Sequence, residues 1–307
     1  MKNNIKLLGI IAVTAVIGLS LFGCKQEPEA GGISLPSTPD IGKAPAFSPG
    51  VTFLDDRDKA LQLLKDITPS TLIGSKPWVG NPTGFFDAYT KAFNAASADV
   101  KPNTSSTETS SSSNASLTID YTSTDVAGLK INGSTSGSRS ITGTAGSGTT
   151  TTNSNRSANN MTFEFPLKAA STGTTARYQA GGVIRVEGHE NTSSTTKITG
   201  TTLEDLKSKT ESRKSEKTAY SFVLTVIDTQ ENKGAKYRFS FAESADTHDR
   251  SASSSNFSET STLEILNGDD EVIFTDITGL KNSSLHSTIT DLVEHVIAGR
   301  WGTFLTY

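Results

Sequence analysis

One thiol, four imidazoles and a few clustered carboxylates are the groups in this chain best suited to nucleophilic, acid–base or metal chemistry. The thiol is Cys24. The imidazoles are His189, His248, His286 and His295. On a strand, Arg185, Glu187 and His189 share one face and Glu190 takes the other, which would suit a weak metal or acid–base group. Asp246-Thr247-His248-Asp249 is a second polar knot. Neither has the His/carboxylate or Cys-x-x-Cys spacing that presents several ligands to one ion, so both read as solvated strand or loop residues. His286 and His295 fall on a C-terminal helical pattern, off its apolar stripe. Asp269-Asp270-Glu271 has the composition of a solvated hairpin turn. There is no G-x-S-x-G elbow, no S-x-x-K set with its partner motifs and no G-x-x-x-x-G-K-[ST] loop. The glycines at 143, 146 and 148 lie in a Ser/Thr tract rather than between a strand and a helix. No cofactor or metal is implied, and catalysis is disfavoured.

Cys24 is the exception, because of where it stands. It ends the sequence Leu21-Phe22-Gly23-Cys24. A short basic head, Met1 to Lys6, precedes an uncharged run of 16 residues from Leu7 to Phe22. That run is short of the roughly 20 residues that span a bilayer. Basic head, apolar middle and small residue before a cut describe an export signal. The segment resembles a bacterial lipoprotein signal peptide, and Leu21-Phe22-Gly23-Cys24 resembles its lipobox. The resemblance implies cleavage between Gly23 and Cys24, a diacylglycerol thioether on Cys24 and acylation, as with palmitate, at the new terminus. It also accounts for a lone cysteine, which an exported chain cannot use for an internal disulfide. Two or three acyl chains anchor stably where one does not. The cell envelope is the expected location. Lys25 after the cysteine favours the outer membrane over the inner, in the enteric-type sorting rule.

The mature chain, 24–307, loses Lys2 and Lys6. It keeps 26 basic side chains against 32 acidic ones, a net charge of −6. With no basic block, nucleic acid is not an expected partner. Residues 24–50 read as a lipidated tether, since prolines at 28, 36, 39, 45 and 49 oppose regular structure. Residues 51–102 form a helical segment. Ala60, Leu61, Leu64 and Ile67 lie at helical spacing after Asp55. Phe85, Tyr89, Phe93 and Ala96 line a second helix, with Asn81 as its cap and Pro82 in its first turn. Residues 103–116 are nearly all Ser, Thr and Asn and read as a loop or a polar strand edge. Residues 143–160 are similar.

From 117 to 307 the period switches to two. Leu117, Ile119 and Tyr121 alternate with polar residues. So do Met161 to Leu167, Tyr220 to Val226, Tyr237 to Phe241, and Leu263 with Ile265. Leu129–Gly133 and Ile141–Thr144 are echoed by Ile184–Gly188 and Ile198–Thr201, which suggests a hairpin used twice. Leu285, Ile289, Leu292, Val293, Val296 and Ile297 define a last helix, with Ser283 or Ser284 as cap. Residues 300–307 suggest a final strand. The expected fold is α+β and mostly antiparallel. A large meander-type sheet has one apolar face covered by the N-terminal helices and the C-terminal helix, and 51–102 joins 117–307 in one domain.

Three functions fit. The first is a non-enzymatic, membrane-anchored binding or surface module for a protein, glycan or lipid. The second is a periplasmic carrier of an apolar ligand in a half-barrel cavity lined by Phe163, Phe165, Phe222, Phe239 and Phe241. The third is a membrane-inserted strand assembly, for which an anchor would be redundant. A hydrolase is the enzymatic alternative. Replacing Cys24→Ala is expected to abolish incorporation of a labelled fatty acid and to release the protein into the buffer-soluble fraction. A label that survives the substitution would overturn the lipobox reading.

Overall fold

The computed structural model describes residues 34–67, 84–124, 126, 128–144, 148–169, 177–199, 207–248, 256–276, 284–298 and 301–305. In chain order these hold β1 (Thr52–Phe53), α1 (Arg57–Asp66), α2 (Gly84–Ser97), β2 (Asn103–Ser106), β3 (Ser110–Thr122) and β4 (Lys130–Thr144). Then come β5 (Thr149–Ala169), β6 (Tyr178–Thr199), β7 (Lys207–Asp228), β8 (Lys233–His248), β9 (Asn256–Leu266) and β10 (Val272–Asp276), with α3 (Ser284–Ala298) and α4 (Trp301–Phe304) last.

The protein is mostly antiparallel β-sheet. Among the described residues ten strands form one sheet, ordered β10-β9-β8-β7-β6-β5-β4-β3-β2, so each strand pairs with its neighbour in sequence. The exception is β1, which pairs with β8 in parallel at Lys233 and Gly234. The strands β5, β6 and β7 are 21, 22 and 22 residues long, several times the usual five or six.

Alternation sorts the side chains. On β6 and β7 the even-numbered residues face the helices and the odd-numbered ones face away. At one end, Phe163, Ile184, Phe222, Phe239 and Leu263 share a row on the helix face. A bulge in β5 between Ala158 and Met161 keeps the apolar residues on that face. Asn160 takes the left-handed conformation there, φ 50°. Gly133 faces the bulge at φ +145°, and a Cβ at that position would lie 2.7 Å from Met161.

Three helices pack on the apolar rows. Asp56, not Asp55, caps α1: its carboxylate accepts from the Lys59 N–H at 3.0 Å. That helix buries Ala60 and Leu63, and Tyr237 donates to the Ala60 carbonyl at 2.6 Å. Helix α2 buries Phe85, Ala88, Tyr89, Ala92 and Phe93. The Tyr89 hydroxyl donates to the Val296 carbonyl of α3 at 2.9 Å. In α3, Ile289, Leu292, Val293, Val296 and Ile297 are buried. Asn81, Pro82 and Ser283 lie outside the described residues.

Three expectations change or narrow. The C-terminal strand is instead the short helix α4, whose Trp301 lies flat against Gly137 and donates from Nε1 to Thr135 Oγ1 at 3.3 Å. The stretch 103–116, expected as a loop or a polar strand edge, is the strand edge, with β2 ending the sheet beside the first half of β3, and most of 143–160 is β5. There, ladder bonds to neighbours hold a chain that has no core to bury. Residues 34–50 are not a spacer. They lie as a strap along the face away from the helices, where Ser221 donates to the Pro39 carbonyl, Arg185 to the Asp40 carbonyl and Thr225 to the Pro45 carbonyl. The extended, proline-rich strap has carbonyls to spare, and it buries Val223 and Ile227 beneath it.

A Cβ at Gly137 would lie 2.5 Å from the Trp301 ring. Overpacking of this kind costs about 1–3 kcal/mol. Gly137→Ala is expected to lower the urea midpoint accordingly with an unchanged m-value, and an unchanged midpoint would contradict the packing.

Candidate functional site

The helices cover only part of the sheet, and the site begins where they stop. Thr135, Ala158, Gly188 and Thr218 form the last row covered from β4 to β7, and on β4 Trp301 extends the cover one row further, over Gly137. Small residues are needed there, because a Cβ on Gly188 would meet Ile297 at 2.1 Å. The next two rows carry Arg156, Glu190 and Glu216, then Lys214. They join into a belt. Arg156 Nη1 donates to Glu190 Oε1 at 3.2 Å, and Lys214 Nζ reaches Glu190 Oε2 at 3.0 Å and Glu216 Oε2 at 2.8 Å. Glu190 and Glu216 are 14% and 18% exposed, so solvent screens these pairs less than ordinary surface ones. Burial alone would lower the Lys214 ammonium. Its hydrogen bonds to Glu216 and Glu190 outweigh that and hold it above its ordinary value.

Beside the belt, Glu243 on β8 stands directly across from Glu259 on β9. Burial, followed by the charges of Glu216, Glu259 and Glu294, pushes the Glu243 carboxyl up to about 7. Burial and the charges of Glu216 and Asp291 also raise Glu294 on α3.

Beyond the belt the strands continue with polar residues on both faces. On the helix face Thr196 meets Thr210 at 3.0 Å, and Ser212 donates to Ser194 at 3.3 Å. On the far face Thr151 meets Thr195 at 3.2 Å. An open hollow of about 560 Å³ lies at the end of this extension, lined by Thr109, Ser111, Ile141, Gly143, Thr150 and Ile198 among others. The two echoed sequence blocks supply its two isoleucines, since β4 and β6 run the same way. A second hollow of about 440 Å³ is lined by Asn153, Asn191, Ser193, Arg213 and Asp246, with neighbours. Hydroxyls and carboxamides both donate and accept. The surface is thus equipped to hydrogen-bond a polar partner.

The residues singled out from sequence sit elsewhere. Phe163, Phe165, Phe222, Phe239 and Phe241 are each at most 2% exposed. They pack ring to ring, with Phe85 at 5.2 Å from Phe165 and Phe222 at 5.4 Å from Phe239. A small hollow touching Phe241 and Tyr220 holds about 30 Å³, roughly one water. Arg185, Glu187 and His189 do share the far face, and Glu190 lies on the other, in the belt. Asp270 pairs with Lys236 at 2.9 Å, while Asn267 organises its turn. His286 and His295 are engaged rather than idle. The former meets the Tyr220 hydroxyl at 2.8 Å and the latter meets Thr90 Oγ1 at 3.1 Å. The His248 side chain, Gly23 and Cys24 lie outside the described residues. Among the described residues no group of three His, Cys, Asp or Glu is arranged to hold a metal ion, and no helix is long and apolar enough to cross a membrane.

No family model, curated protein or solved structure matches this chain. Its chemistry must be read from its own surface. Nothing in the sequence marks the belt, because Arg156, Glu190 and the Lys214/Glu216 pair are far apart along the chain and meet only through strand register.

A raised carboxyl binds its proton more tightly in the folded state. Stability from Glu243 is therefore full below its unfolded value and declines as pH rises toward about 7. Glu243→Gln is expected to raise the melting temperature at pH 8 relative to the parent and to flatten its decline between pH 5 and 8. A lower melting temperature for the variant at pH 8 would contradict this electrostatic reading.

Proposed function

We propose that this protein is a non-enzymatic lipoprotein of the cell envelope that uses the polar extension of its sheet to bind a polar partner, a protein or a glycan. In this reading Cys24 carries the lipid anchor. The helices close one apolar face as the structural base, and the extension carries the binding surface. The observation that bears the most weight is that strands β5 to β7 run on past the helix-covered rows with hydroxyl, amide and charged groups on both faces. A strand region with no core to bury does not add to the stability of the fold through apolar burial, and its exposed hydroxyls, amides and charges suit contact with a partner. Lys25 after the anchor cysteine favours outer-membrane attachment, by the enteric-type sorting rule.

The apolar-carrier reading finds no support in the ring packing of the five phenylalanines. Membrane insertion of the strands is disfavoured by the charged belt and by the helices on one face.

The test combines Ser111→Lys, Thr150→Lys and Thr196→Lys, which crowd the end of the helix face with exposed ammonium groups. Retention of purified parent protein on immobilised envelope glycans and proteins is expected. The triple variant should lose that retention by at least tenfold while keeping its melting temperature. A variant that binds as well as the parent would remove the extension from the binding role.

A further inference from the structure

The two faces of the polar extension differ in charge. On β6 and β7 the far face carries Lys197, Lys207, Lys209, Arg213 and Lys217. Lys197 and Lys209 stand directly across from each other. From Lys217 outward the described far face of β6 to β8 sets two carboxylates, Glu211 and Asp246, against these five cations, and Glu187 lies one row before Lys217. Glu211 pairs with Lys209 at 3.6 Å. Like charges held side by side disfavour an isolated sheet, so an anionic partner would relieve the patch. The helix face is the opposite, with Glu190, Glu216, Glu243 and Glu259 beside Arg156 and Lys214. The chain as a whole is acidic, at −4, so the basic face does not follow from composition.

The strap brings the N-terminal side of the chain to this same face. Its first described residue, Ser34, lies against Lys217, with Oγ 3.5 Å from Nζ. Ser34 is ten positions along the chain from Cys24, a reach of about 35 Å at full extension. From Lys217 to Lys207 the strand covers about 33 Å. An anchor at Cys24 therefore keeps the whole basic face within reach of the membrane it enters.

We infer that the far face of β6 and β7 is a membrane-apposed surface whose Lys197, Lys207, Lys209, Arg213 and Lys217 contact anionic lipid headgroups. This rests on the lipid-anchor reading and deepens it, because it orients the domain. The far face turns to the bilayer, and the helix face, with its hydroxyl rows, turns outward to the partner. Each cation close to an anionic surface strengthens attachment about fivefold. The attraction fades beyond a Debye length of about 8 Å at physiological salt. The tether makes contact effectively intramolecular.

The only native thiol is Cys24, so a label at one new cysteine reports one site once lipid has blocked it. Thr195 and Thr196 are neighbours on opposite faces. The full lipidated protein, labelled at Thr195→Cys or at Thr196→Cys, is placed in vesicles of phosphatidylcholine with 30% phosphatidylglycerol and a headgroup-borne energy acceptor. The Thr195 label is expected to transfer energy at least twice as efficiently as the Thr196 label. The difference should collapse in pure phosphatidylcholine, in 0.5 M salt, and in Lys197→Glu/Lys209→Glu/Arg213→Glu. Equal transfer from both sites, or a preference that survives the charge reversal, would overturn the proposal. A second arm does not need the anchor. The Cys24→Ala chain should sediment with the anionic vesicles at least tenfold more than with neutral ones, and the charge-reversed form should not. Loss of acyl label with this binding intact would separate failure of the lipobox reading from failure of the surface. Absence of anionic preference here would contradict the surface itself, whatever Cys24 carries.

Discussion

The described fold depends on a ladder of backbone hydrogen bonds that joins each long strand to its neighbours and shifts only at a few bulges. A strand usually needs one buried face to be worth ordering. Here the apolar end supplies that burial for all the long strands at once. Phe163, Ile184, Phe222 and Phe239 lie in one row on the helix face, and they fix register along β6, β7 and β8, while the bulge at Ala158–Met161 resets it in β5. A slip of one residue would turn every one of those rings to the opposite face. With register fixed, the Ser/Thr half is carried along by its ladder, although nothing covers it. The belt of Arg156, Glu190, Lys214 and Glu216 marks the boundary between the two regimes.

That division explains what could and could not be read from the sequence. The alternation of Tyr220, Phe222, Leu224 and Val226 was legible because one face is apolar and the other is not. The stretch from Thr149 to Ser157 has no such contrast. A strand polar on both faces carries no period, so its extended form comes from its neighbours rather than from itself. The same holds for 34–50, where prolines rightly excluded regular structure but gave no sign of the carbonyls offered to Ser221 and Thr225. The aromatic tail misled for another reason. Trp301 looks like a strand residue until Gly137 is seen to leave a flat seat for its ring.

The surface was the least legible part. Single charges spaced through Ser/Thr tracts suggest solvation. Only the pairing of Lys197 with Lys209, and of Arg156 with Glu190, turns them into a basic face and an ionic belt on opposite sides of one layer. Thr and Ser hydroxyls become ordered rows for the same reason. In the proposed function the binding surface is a lattice of side chains set by register, not a motif.

The proposed binding surface requires the polar half to be an ordered sheet in solution, held by the ladder rather than by a core. Residue-resolved amide hydrogen exchange tests that most directly. Amides of the interior strands at 150–156, 190–198 and 208–216 are expected to exchange at least a hundredfold more slowly than an unstructured chain, though faster than those at 220–226 under the helices. Exchange at the unstructured rate across all three segments, with 220–226 still protected, would contradict the account.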